Sequence, residues 1–218
     1  MDRKMEVDVA YKEATKHVEK ANNDFNAKLY QHIAKGNNHN IVISPFSVTS
    51  VMSMVLSEEN GEKGKQIKTD LSLPENKYLL PGLNHILGLL NSRHGVSFVF
   101  QSANRVYTKD EFELRGDFLE VNKKYYHLAN PEIINFYESE EARVIINTWV
   151  HEQTNGKMKG FTSPDLMYSH KSSDLVLVNA MYFKGDWDSK FNTKDTLKQD
   201  FYVGKGSTVE VDMCVNIQ

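Results

Sequence analysis

Few residues in this chain combine the type and the spacing that chemistry needs. Its eight histidines include no H-E-x-x-H pair, the helical arrangement that holds a catalytic zinc. His151-Glu152 sits at the polar end of an apolar-periodic segment and reads as a solvated face. Cys214 is the single cysteine, which excludes an internal disulfide and a cysteine-only metal cage. It falls on the polar side of an alternating run with no base beside it, so it makes a poor nucleophile. GEKGK (61–65) lacks the G-x-x-x-x-G-K-Ser/Thr spacing and a preceding strand, and reads as a surface loop rather than a phosphate cradle. Lys157 and Lys159 flank a helix end, where cations suit the dipole. No catalytic constellation, metal site or cofactor is expected. One amide stands out instead. In DLVLVNAMYFKGDWDSKF (174–191) the run from Leu175 to Phe183 is apolar except for Asn179. An unpaired amide in such a setting costs about 1–3 kcal/mol, so Asn179 requires a polar partner.

The elements that would position it follow from the apolar spacing. Ala21, Phe25, Leu29 and Ile33 repeat every fourth residue and predict a helix over 12–35, ended by Gly36. IVIS (41–44) is a short β-branched run stopped by Pro45. PFSVTSVMSMVL resumes helical spacing, with Pro45 in the first turn and Ser44 as its cap. Further helices are predicted near 64–71, within 75–93 and around 115–127. Residues 97–108 read as a strand, and PEIINF as a short extended piece. A helix carries Val144, Ile145, Trp149 and Val150 on one face and stops at Asn155-Gly156. A buried strand over 175–183 is followed by two strands around a Gly204–Ser207 turn. The second of these alternates Val209, Val211, Met213, Val215 and Ile217.

The bulk composition bounds the function. The 218 residues are 40% hydrophobic and 11% aromatic, enough for a sizeable core and against disorder. Twenty-six Lys+Arg against 29 Asp+Glu leave a net charge of −3, a field suited neither to nucleic acid nor to an anionic membrane. No apolar run approaches the ~18 residues that span a bilayer. The N-terminus is charged and lacks a secretory apolar block, and no N-x-Ser/Thr acceptor occurs. The stripe at 75–93 carries only Lys77 and Arg93, too few for a strong glycosaminoglycan site.

Four segments in this order resemble the serpin family: NIVISPFSVTSVMSMVL (40–56), SANRVYT (102–108), INTWVHEQTNGKM (146–158) and DLVLVNAMYFKGDWDSKF (174–191). The run L-V-N-A-x-Y-F-K-G-x-W with a following Phe is similar to the family's motif for a central strand of its main sheet. After Leu56, Ser57-Glu58-Glu59 departs from the Gly-Ala pair of many members. The resemblance implies an α+β fold, a mixed multi-helix and multi-sheet single domain, in which Ser44, Pro45 and Ser47 lie beneath the middle of that sheet. The strand amide, matching Asn179, is expected to meet those hydroxyls in a region called the shutter, where two strands part. Trp187 matches the tryptophan of the breach, where an inserting loop first enters. Trp149 lies on a helix that crosses the sheet.

The resemblance also implies a function: inhibition of serine (less often cysteine) proteases, which cleave a reactive-centre loop that then inserts as a strand into the main sheet. The alternative is a non-inhibitory member acting as carrier, chaperone or store. The protein would be a trap and not an enzyme. The terminal strand has no later element to cover its apolar face, so residues 1–218 are expected to be one incomplete domain, with about 1–20 an extension leading into the first helix. The loop and the histidine that partners the strand amide in the family would lie beyond Gln218. Expected partners are therefore the protease, through that loop, and the remainder of the fold, in trans or by oligomerisation. Alone, the polypeptide is expected to be poorly soluble or oligomeric. The family suggests an extracellular setting, with the cytoplasm as the alternative.

Overall fold

Two packed faces of one small sheet organise the molecule. A computed structural model describes residues 3–56, 61–92 and 98–214. In chain order the elements are α1 (Arg3–Ala34), α2 (Pro45–Leu56), α3 (Glu62–Asp70), α4 (Asn76–Ser92), β1 (Phe98–Thr108), α5 (Gly116–Tyr126), β2 (Glu132–Ile133), α6 (Ser139–Gln153), α7 (Pro164–Ser169), β3 (Leu175–Gly185), β4 (Thr196–Gly204) and β5 (Ser207–Cys214).

The main sheet has strand order β2-β1-β3. β1 and β3 run antiparallel in unbroken register from Phe98↔Gly185 to Thr108↔Leu175, and β2 joins in parallel at Tyr107↔Glu132 and Thr108↔Ile133. Strand alternation divides the side chains between two cores. Val176, Val178, Ala180, Ala103 and Tyr107 pack under α6 and α7 with Ile146, Trp149, Val150 and Met167. Leu175, Leu177 and Val106 face the opposite way, onto Met54 of α2, Leu79 and Leu83 of α4 and Tyr126 of α5. β4 and β5 form a separate two-stranded hairpin.

Several sequence expectations shift. The first helix begins at Arg3, nine residues before the predicted start, although Val9 and Ala10 in that added stretch are exposed. Its contact with α4 is close. A Cβ on Gly82 would stand 2.6 Å from the Ala14 carbonyl oxygen, so only glycine admits that backbone. Tyr11 stacks on His85 and His17 on Tyr78 along the same seam.

IVIS forms no strand. Val42 is 97% exposed, and the segment leads as an irregular chain into the Ser44 cap. On α6 the buried face is Ala142, Ile146, Trp149 and Val150, and Val144 turns to solvent. That helix stops where predicted, with Asn155 and Gly156 at positive φ and the Gly156 N–H on the His151 carbonyl at 2.8 Å. The short α7 was not anticipated from sequence, although Ser163-Pro164 is a cap followed by proline, and Ser163 Oγ accepts from Leu166 N at 3.2 Å. Ser57-Glu58-Glu59, Arg93, Val215 and Ile217 lie outside the described residues.

Candidate functional site

β3 is an edge strand of the main sheet among the described residues. Among the described residues it pairs with β1 alone, so the N–H and C=O groups along its other edge have no strand partner over eleven residues. Such an edge is a template for one further strand. The polar residues singled out from sequence lie beneath or beside it.

Asn179 sits at the middle of β3, directly opposite Asn104 in the ladder. Its Nδ2 donates to Asn104 Oδ1 at 2.9 Å, with the Ala103 carbonyl at 3.3 Å and Ser102 Oγ at 3.5 Å. Asn104 Nδ2 in turn donates to the Tyr126 carbonyl at 3.0 Å, tying the pair to α5. The donor side of the Asn179 amide is therefore satisfied. Its Oδ1 is buried and has no partner.

This corrects the expected contact of Asn179 with Ser44 and Ser47. Those hydroxyls meet Met181, the next residue on the same face: Ser44 Oγ lies 3.1 Å from Met181 Sδ, and Ser47 Oγ lies 3.0 Å from Ser44 Oγ. The reason is register. Two strand residues advance the chain by about 7 Å, so an α2 N-terminus seated under Met181 is too far along to reach Asn179. The cross-strand neighbour Asn104 is closer and takes the amide first. Ser44 also caps α2, accepting from Ser47 N at 3.4 Å, with Pro45 in the first turn.

Trp187 stands in the loop after β3 and is 74% exposed, so it is not the packed core aromatic that sequence alone would allow. Trp149 is buried against the sheet. Cys214 is exposed beside Thr196.

Sequence reading missed three participants. Asn104 is an amide in a strand that also carries Gln101, Ser102 and Arg105, so it gave little contrast. Met181 gave none, because a thioether in an apolar run is unremarkable. The third is Arg105, whose Nη1 pairs with Glu132 Oε2 at 2.6 Å and whose guanidinium carbon lies 5.4 Å from the Trp149 ring centroid.

Two buried tyrosines line the two faces of the sheet. Burial pushes the Tyr107 hydroxyl up to about 12, while the Arg105 guanidinium beside it pulls the other way. Burial raises Tyr126 as well, opposed by the nearby Ser53. Among the described residues no three His, Cys, Asp or Glu side chains are grouped to hold a metal ion, and no helix is long and apolar enough to cross a membrane.

This arrangement recurs in known proteins. The family model for Serpin (serine protease inhibitor) matches residues 20–217. An uncharacterized serpin-like protein of Thermococcus kodakarensis is 33% identical over 204 residues, covering 93% of this chain and 46% of its relative. Antichymotrypsin-2 of Bombyx mori is 32% identical over 193 residues, covering 88% of this chain and 48% of the other. The solved structure of emu (Dromaius novaehollandiae) ovalbumin superposes with a TM-score of 0.82 at 24% identity, over 90% of this chain and 54% of that one, a likeness of fold. The chain thus spans about half the length of the relatives it matches. With nearly two hundred consecutive residues matched, the chain belongs to the serpin family.

Proposed function

We propose that a polypeptide joining this chain to a reactive-centre loop inhibits serine-type endopeptidases by taking the cleaved loop into its main sheet. The observation that carries this reading is the match of residues 20–217 to the serpin family model, with the unpartnered Asn179 Oδ1 at the middle of the strand that bears the family motif. A loop taken into the sheet as a further strand would pair its own backbone groups and bury apolar side chains, so the loop-inserted form would be the more stable one. The state before cleavage is then held kinetically. Cleavage leaves the protease acylated on the loop, and insertion carries it away before hydrolysis is complete. The named inhibitors among the relatives, including Antichymotrypsin-2 and Antitrypsin of Bombyx mori, support the protease class.

Each candidate residue has a part in this reading. Asn179 offers an acceptor to an N–H donor arriving from the far side of the gap. Ser44, Ser47 and Met181 form an adjacent polar–sulfur contact that can re-pair as the strands part, with Pro45 fixing the start of α2. Trp187, exposed at the end of β3, stands where an incoming strand first meets the sheet. The chemistry belongs to the protease, and the chain contributes no catalytic group.

The test is to mix the loop-bearing protein with trypsin-, chymotrypsin- and elastase-like enzymes and run denaturing gels. A complex that survives SDS is expected with one of them. Clean loop cleavage by each enzyme, with no such complex, would overturn the inhibitor reading in favour of a carrier or storage role.

A further inference from the structure

α6 is held on the sheet by an apolar cluster and by one charged side chain. The cluster sets Ile146, Trp149 and Val150 against Val176, Val178 and Ala180. Contacts of this kind are non-directional and survive small slides. Arg105 is different. It rises from β1 on the α6-facing side, opposite Val178. Its Nη1 reaches Glu132 on β2 at 2.6 Å, while the plane of the same guanidinium faces the buried Trp149 ring of α6 at 5.4 Å. One group thereby joins three elements. Arginine suits this place because its planar cation can accept an ion pair at one edge and a ring at its face. Its Nε is buried without a partner, so the Glu132 pair and the ring carry the burden of that desolvated charge.

The segment that follows α6 faces the second half of β3. A cavity of about 590 Å³ separates Thr154, Lys157 and Met158 from Met181 to Lys184 of β3. A strand added beside β3 would send every second side chain onto the α6 face and under that segment. α6 would then have to move, and the directional contacts of Arg105 would break or re-form as a unit.

We propose that Arg105 is a positioning residue that sets how readily α6 lifts from the sheet, and through it how fast a strand joins β3. The second half of this proposal rests on the strand-acceptance reading above, and the first does not.

The two halves are tested separately. In the chain carrying Trp187→Phe, Trp149 is the sole tryptophan. Arg105→Met should speed hydrogen exchange of α6 amides about tenfold and red-shift Trp149 emission, since it removes an ion pair and a cation–π contact together. Arg105→Lys keeps the charge on Glu132 but loses the planar face, and should fall between. Glu132→Gln should give a smaller change of the same sign. Unaltered α6 exchange and emission in a folded Arg105→Met protein would overturn the clamp. Should that variant not fold, the same readouts on Arg105→Lys and Glu132→Gln decide. In the loop-bearing protein, Arg105→Met should raise the insertion rate and the fraction of protease trapped rather than released. Faster α6 exchange with an unchanged trapped fraction would refute the link to insertion. A parent protein that traps no protease at all would refute the inhibitor reading, leaving α6 exchange to judge the clamp.

Discussion

Asn179 and Asn104 form a part-buried amide pair in which one donor–acceptor contact is made and one buried oxygen is left over. Replacing Asn179 with Leu leaves Asn104 Oδ1 without its 2.9 Å donor. The expected cost is about 1–2 kcal/mol, read as a lower urea midpoint. Tyr107 makes an opposite prediction. Its folded pKa is raised from 10.0 to about 12, so its contribution to stability is full below pH 10 and is lost as pH rises through about 12. Urea melts should show the parent losing about 2–3 kcal/mol across that window that Tyr107→Phe does not lose. At neutral pH the variant should be at least as stable, because it deletes a buried hydroxyl with no partner. At this scale the sequence was partly legible. Asn179 stood out because its neighbours are apolar throughout. Asn104 did not, because Gln101 and Ser102 precede it and dilute the contrast. That Met181, and not Asn179, meets the serines depends on where α2 docks along β3, which no local pattern encodes.

Among the elements, strong periodicity was read well and weak periodicity poorly. α2, α4, α5 and the end of α6 were anticipated within a residue or two, since their apolar stripes and their proline, asparagine and glycine punctuation are local signals. The start of α1 was missed because the stretch before residue 12 is dominated by charged residues and shows no apolar stripe; Val9 and Ala10 are exposed there. The IVIS run misled in the other direction: β-branched residues favour a strand only where a neighbouring strand is in reach. Gly82→Ala tests the α1–α4 seam. Helix propensity alone favours Ala by about 1 kcal/mol, but the new methyl would stand 2.6 Å from a backbone oxygen. A net loss of about 1–3 kcal/mol in denaturant melts is expected, with α1 amides exchanging faster.

At the scale of the whole molecule, the sheet layers and the family were legible from four motifs, and the strand order was not, since pairing is a property of topology. Exposed apolar surface predicts behaviour in solution. β4 and β5 expose Leu197, Phe201, Tyr202, Val203 and Val209, each at least 45% accessible. Size-exclusion of the 218-residue chain should therefore give oligomers whose size grows with concentration, and a monodisperse monomer would count against that. The account depends most on the main sheet accepting one more strand beside β3. Calorimetry before and after a single cut in the reactive loop of the loop-bearing protein tests for that acceptance directly. A filled position should raise the melting temperature sharply, through new backbone pairing and burial. An unchanged or lower melting temperature would mean that the sheet takes no further strand.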